Sequence, residues 1–219
     1  MTATPLAADD VAMRVACKGA RSSLRPADFG LLDLLVQWLG QTPDPMTAPA
    51  LRAWRLQAIR RFQQLTAPLA AKSVEDTGFY RYGRLLSRNE VGGDPGMFSL
   101  DPEGFHRKVL ARASRLPDAM LATATHDHKR GEDARARLAV LTELPEEWRR
   151  VVEAWMRRHE ALKPKEGLRP APADEYMLYQ TLFSAWPLDL SLSDEAGVRA
   201  FADRVAAWQT KSLREAKLR

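Results

Sequence analysis

Cysteine is almost absent from this chain: Cys17 is the single one among 219 residues. Neither a disulfide framework nor a cysteine-based metal site is available, and a reducing cytoplasm is the expected location. No apolar run approaches the ~20 residues that a membrane-spanning helix needs. The N-terminus lacks the basic patch and apolar core of a secretory signal. Internal repeats and low-complexity tracts are missing too. The apolar share of 45% is ordinary, which argues against a disordered, collagen-like or coiled-coil chain. The positive charge excess is small and local. Arg199, Arg204, Lys211, Arg214, Lys217 and Arg219, set against Asp203 and Glu215, supply most of the net +5. Elsewhere acids and bases interleave, as in Glu146-Glu147-Trp148-Arg149-Arg150, the pattern of solvated helix faces. There is no zinc-finger spacing and no aromatic-basic ribonucleoprotein motif, so neither nucleic acid nor a membrane is the expected partner. A basic helical nucleic-acid binder would have to rely on the last twenty or so residues. The expectation is a soluble chain long enough to bury a core.

Strand signals are scarce, and the helical repeat dominates. Leu51, Trp54, Ala58, Ile59, Phe62 and Leu65 share one helix face. Trp148, Val151, Val152, Trp155, Met156 and Leu162 form a second stripe, with Pro145 just inside its start, where its missing donor costs nothing. Val198, Phe201, Val205 and Trp208 form a third, with Ser193 as the expected N-cap. Residues 176–186 make a helix stopped by Pro187, and 9–20 and 27–39 read as two more. The proline-bearing stretch 41–49 reads as a hinge, so the expected organisation is an N-terminal helical segment, 1–46, and a helical domain, 47–219. The clearest strand candidate is 120–125. Glu90-Val91-Gly92-Gly93-Asp94-Pro95-Gly96 reads as a tight turn needing positive φ or close backbone approach. Residues 163–172 read as a polar connection. The expected fold is mainly α, bundle-like, with one or two short strands.

Chemistry concentrates in Thr123 to Arg137, where the strand candidate ends at His126-Asp127 and a burst of alternating charge follows. A short strand delivering such a pair before a charged helix is how barrel enzymes present catalytic groups. Asp127 as an N-cap of the charged helix fits the same residues. His126 and His128 lack a third ligand at a diagnostic spacing, so no metal is expected. A second constellation is Lys72, Glu75 and Asp76 within about one helical turn, with Phe79, Tyr80 and Tyr82 just beyond. It fits an ion-paired helix with a packed aromatic face, or a polar wall beside stacking rings suited to carbohydrate. Asn89-Glu90, ahead of the glycine turn, is equally open.

The order of the segments adds a resemblance. FQQLTAPLAAKSVEDTGFYRYGRLLSRNEVGGDPGMF (62–98), GFH (104–106), LATATHDHKRGEDARARLAVLTELPEEW (121–148), YMLYQTLFSAWP (176–187) and SLREAK (212–217) together resemble the malto-oligosyltrehalose synthases of the α-amylase family. The resemblance implies an enzyme of trehalose biosynthesis, acting on a maltooligosaccharide. It turns the reducing-end α-1,4 link of a maltodextrin into an α,α-1,1 link by a retaining, intramolecular transglycosylation, without a cofactor. By the motif match Asp127 is a third, transition-state-stabilising carboxylate, and His126 donates a hydrogen bond beside it. Lys72 and Lys129 line the place where the freed glucose turns over, and Glu75 and Asp76 support Lys72. Ser73 stands where the family usually has glycine, and His128 where it has threonine. The nucleophile and general-acid motifs of the family have no counterpart here. The chain is therefore expected to be a fragment, the helical insertion and last part of a (β/α)8 barrel, inactive alone. A strand at 120–125 would then lack a sheet. Its alternatives are packing on helices, irregular backbone, or pairing with another copy of the chain as a homo-oligomer. The reading of a different class is a non-catalytic carbohydrate-binding or adaptor module.

Overall fold

A computed structural model describes residues 7–40, 48–166 and 170–217. The hinge expected at 41–49 and the connection at 163–172 fall partly outside them. The chain divides into two compact units, Met1–Leu69 and Ala70–Arg219.

The first unit contains α1 (Ala7–Ser23), α2 (Phe29–Gly40), entered through a 3-10 turn at Pro26–Asp28, and most of α3 (Pro49–Ala70). Arg21 pairs with Asp33 and lies over the Phe29 ring at 5.1 Å, which ties α1 to α2. Arg55 donates to the Trp38 carbonyl at 3.2 Å, joining α3 to the end of α2. The apolar stripe of α3 is largely left uncovered: Trp54 is 71% exposed and Leu65 61%. Three helices supply too few faces to cover every stripe they carry.

In the second unit, α7 (Pro172–Ala185) is the central element, packed by α5 (Glu132–Val140), α6 (Pro145–His159) and α8 (Glu195–Ala216). Leu85, Leu86, Leu138, Leu141 and Met177 form the core, with Trp148 and Trp208 against it. Because neighbours surround α7, polar side chains are buried along it, and each needs a partner. Gln180 accepts from Leu86 N–H at 2.8 Å and donates to the Gly83 carbonyl at 2.7 Å. Helix ends are closed by distant arginines: Arg137 donates to the Trp186 carbonyl at 2.6 Å after α7, and Arg81 to the Ala216 carbonyl at 2.5 Å at the end of α8.

The stripes of α6 and α8 face the packed side in part, with Val151 exposed. Val152, Phe201 and Val205 are buried, whereas Leu162 lies beyond α6 in a 3-10 turn and is exposed. Helix α7 begins at Pro172, earlier than residue 176, and Trp186 turns extended before Pro187. The cap of α8 is Asp194, not Ser193. The Asp194 carboxylate accepts from Gly197 N–H at 3.0 Å, while Ser193 N–H is taken by the Ser191 hydroxyl at 3.2 Å. Helix α4 (Pro102–Arg115), with Asp101 accepting from Gly104 N–H at 2.6 Å, was not foreseen. Its apolar residues make no long stripe.

The fold is helical, and no strand occurs among the described residues, so the expected strand at 120–125 does not form. A strand must exchange backbone hydrogen bonds with a neighbour, and this stretch has none; Met120 is 96% exposed. Nor is any helix among the described residues long and apolar enough to cross a membrane.

Candidate functional site

Three segments converge on one carboxylate. The first is a single π-helical turn, Ala71–Glu75, at the end of α3. Asp76 N–H reaches back five residues to the Ala71 carbonyl at 2.8 Å, and the Thr77 hydroxyl donates to the Lys72 carbonyl at 2.8 Å. Pro68, inside the last turns of α3, removes a backbone donor just upstream. Such π-turns widen a helix locally and recur at functional positions. Here the turn puts Lys72 and Asp76 side by side, in an ion pair.

The second segment is the loop ahead of α5. Its Lys129 side chain, only 13% exposed, reaches Asp76 Oδ1 at 3.1 Å and lies over the Tyr80 ring at 5.7 Å. Asp76 thus holds two ammonium groups. Hydrogen bonds first from Lys72 and then from Lys129 keep its carboxyl below the ordinary carboxylate range, against the opposing effect of burial. Reciprocally, the hydrogen bond and charge of Asp76 raise Lys72, with smaller help from Glu215 and Asp127.

The third segment is the glycine turn. Gly92 adopts φ +74°, and a Cβ on Gly93 would sit 2.8 Å from the Glu90 carbonyl oxygen, so both special demands of this stretch are met by glycine. Gly92 N–H donates to Glu75 Oε1 at 2.9 Å, and Glu90 Oε2 accepts from Lys129 N–H at 2.7 Å.

The expected site residues are therefore only partly gathered. Lys72, Asp76 and Lys129 form one cluster. Glu75 bonds the glycine turn, while Asp76 is the group that touches Lys72. His126 and Asp127 stand in solvent, 89% and 77% exposed, with His126 Nε2 3.9 Å from Asp127 Oδ2. Asp127 has φ +62°, a left-handed conformation that aspartate tolerates better than most residues. It is not a helix cap: α5 starts at Glu132 with Gly131 as its N-cap. The Asp127 charge is nevertheless near enough to help hold the Lys72 proton. His128 has a local structural contact, its Nδ1 accepting from Thr125 N–H at 2.9 Å. Among the described residues no three His, Cys, Asp or Glu side chains gather as a metal site would require.

Two buried acids lay outside the expected site. Glu90 was legible only as an ambiguous neighbour of the glycine turn. Glu175 belongs to a separate network, where it accepts from the Tyr179 hydroxyl and pairs with Lys163 at 2.6 Å, with His159 Nδ1 2.8 Å from the same hydroxyl. Its sequence signal is no more than the i, i+4 spacing of Glu175 and Tyr179 on α7.

No family model matches the chain. It is 35% identical over 180 residues to a protein named as a maltooligosyl trehalose synthase in Mycobacterium tuberculosis, a match that covers 78% of this chain and 22% of that one. Its structure resembles that of a variant maltooligosyltrehalose synthase from Arthrobacter ramosus, with TM-score 0.61 and 34% identity over 95% of this chain and 23% of the other. A further crystal structure of a maltooligosyl trehalose synthase matches with TM-score 0.62 and 32% identity, over 85% of this chain and 26% of that chain. The chain is thus similar to a segment of these enzymes and spans about a quarter of their length.

Proposed function

We propose that this chain supplies the lysine-bearing helical part of a maltooligosyl trehalose synthase, a (1→4)-α-D-glucan 1-α-D-glucosylmutase of the α-amylase family acting in the cytoplasm. The observation that carries the reading is the Asp76 carboxylate joining Lys72 and Lys129 from segments far apart in sequence. Its likeness to synthases over nearly its whole length supports the same reading.

The chemistry follows from the donors. Two ammonium groups anchored on one carboxylate offer fixed positive donors to the hydroxyls of a neutral sugar. Lys72, paired with Asp76 but largely exposed, meets the glucose released at the reducing end, while Lys129 is the more buried of the two. Holding that glucose is what separates transglycosylation from hydrolysis, since its anomeric hydroxyl must attack before water does. Asp127, with His126 beside it, bonds hydroxyls of the distorted sugar and favours the oxocarbenium-like transition state. Glu75 supports the cluster through the glycine turn.

A retaining mechanism needs a nucleophile and an acid–base carboxyl about 5 Å apart. Asp127, the carboxylate assigned here to stabilising the transition state, is neither of these two. The nucleophile and general acid come from the barrel part of the longer enzyme, from which this helical region derives. The isolated chain is inactive.

The test is maltopentaose added to the isolated chain, followed by product analysis and by NMR of the lysine side chains. The expected result is no non-reducing product, with Lys72 and Lys129 signals perturbed by maltopentaose and not by its reduced alditol. Unperturbed lysine signals would overturn the sugar-site reading. A non-reducing product would overturn the assignment of nucleophile and acid elsewhere.

A further inference from the structure

We infer that Glu90 is a positioning residue of this site: its buried carboxylate holds the Lys129 backbone so that the Lys129 ammonium is delivered to Asp76. The importance of that delivery rests on the sugar-site reading above; the geometry does not.

Glu90 is 6% exposed, a rare situation for a carboxylate, and it is not spent on a side-chain ion pair closer to home. Oε2 accepts from Lys129 N–H at 2.7 Å, whereas Oε1 is buried without a hydrogen-bond partner among the described residues. Its negative charge also favours the charged form of Arg130, next along the loop, which donates to the Leu86 carbonyl at 3.4 Å and lies over the Trp208 ring at 6.0 Å. One carboxylate therefore holds the amide of Lys129 and favours the charge of Arg130, the next residue of the loop. The other end of the same turn binds the π-turn, through Gly92 N–H to Glu75 Oε1 at 2.9 Å. The glycine turn is a bracket with one grip on the segment carrying Lys72 and Asp76 and the other on the segment carrying Lys129. The loop itself has no strand or helix at Lys129 to fix it, so an anchor on its backbone decides where the side chain starts.

The experiment follows the Asp76 carboxyl by 13C NMR as pH is varied, in the isolated chain and without sugar. Lys129 is one of the two lysines that keep this group acidic. Glu90→Ala, which removes the anchor, is expected to raise the Asp76 midpoint as far as Lys129→Met does. Glu90→Gln keeps an oxygen that accepts from Lys129 N–H and is expected to leave the midpoint low. Should the alanine variant fail to fold, Glu90→Asp, one methylene short of the amide, takes its place with the same expectation. An Asp76 midpoint unmoved by the alanine or aspartate variant would assign Glu90 a purely structural role and overturn the inference. A rise in Glu90→Gln equal to that in Glu90→Ala would overturn it as well, because an acceptor kept at the Lys129 amide would then not hold the lysine in place. No sugar enters the measurement, so failure of maltopentaose binding would sink only the functional proposal.

Discussion

Lys129 Nζ meets Asp76 Oδ1 at 3.1 Å across 53 positions of sequence, while Lys72 meets the same carboxylate from the preceding helical turn. One acid thereby fixes the spacing of two cations. Without it, two ammonium groups this close would repel.

Asp76→Asn is the direct probe of that arrangement. It should return the Lys72 titration toward the ordinary lysine value, because Asp76 supplies the two largest influences that raise it. The loss of stability at neutral pH should be about 1 kcal/mol, through the shielded Lys129 pair. The pH sign follows from a depressed carboxylate. Its contribution is complete above the unfolded midpoint near ~3.9 and disappears as pH falls through the lower folded value. Lysine NMR titration and urea unfolding at several pH values check both parts.

The network around Glu175 predicts a larger effect. Glu175 is buried; desolvation alone would raise it, but hydrogen bonds from Lys163 and Tyr179 outweigh that and leave it lowered. Burial first, and then the Glu175 carboxylate, push the Tyr179 phenol upward, so it remains the donor. Glu175→Gln removes the buried partner of Lys163 and leaves it Glu160, at 3.1 Å; stability at neutral pH should fall by about 2 kcal/mol. The gap between wild type and variant should narrow as pH drops below the usual glutamate midpoint near ~4.3. A gap that stayed constant down to acid unfolding would refute the ionised pair.

Gly93→Ala should destabilise the second unit by about 1 to 2 kcal/mol. Its new Cβ would lie 2.8 Å from the Glu90 carbonyl and 3.0 Å from that of Arg88, both backbone atoms with little room to yield. The same change at Gly19, where nothing lies within 4 Å, is the control and should be neutral or slightly stabilising. Thermal melts of the two variants decide this.

Gln180→Leu keeps roughly the volume but leaves Leu86 N–H and the Gly83 carbonyl without their partner. A loss of about 2 kcal/mol is expected. Leu138→Ala, at a fully buried position, should lose about 3 kcal/mol by cavity formation. Denaturant titration would distinguish the polar tie from simple packing if Gln180→Leu proved neutral.

The local pattern of the chain determined the helices. The stripes of α6 and α8, Pro145 at a helix start, the stop before Pro187 and the glycines at 92 and 93 are all set by neighbours within a turn or two, where spacing and φ preference act. The motif order likewise carried the relation to the synthases. Only tertiary packing decided the rest. The stretch 120–125 has strand-like composition, but a strand exists only where another backbone answers its hydrogen bonds. The burial of α7 on nearly all sides leaves no stripe to read. Whether Asp76, Glu75 or Glu90 would hold a lysine, a glycine turn or a loop amide depended on segments tens of residues away. Hydrogen bonds and ion pairs between such segments have no period in sequence, because chain connectivity does not constrain which distant group arrives.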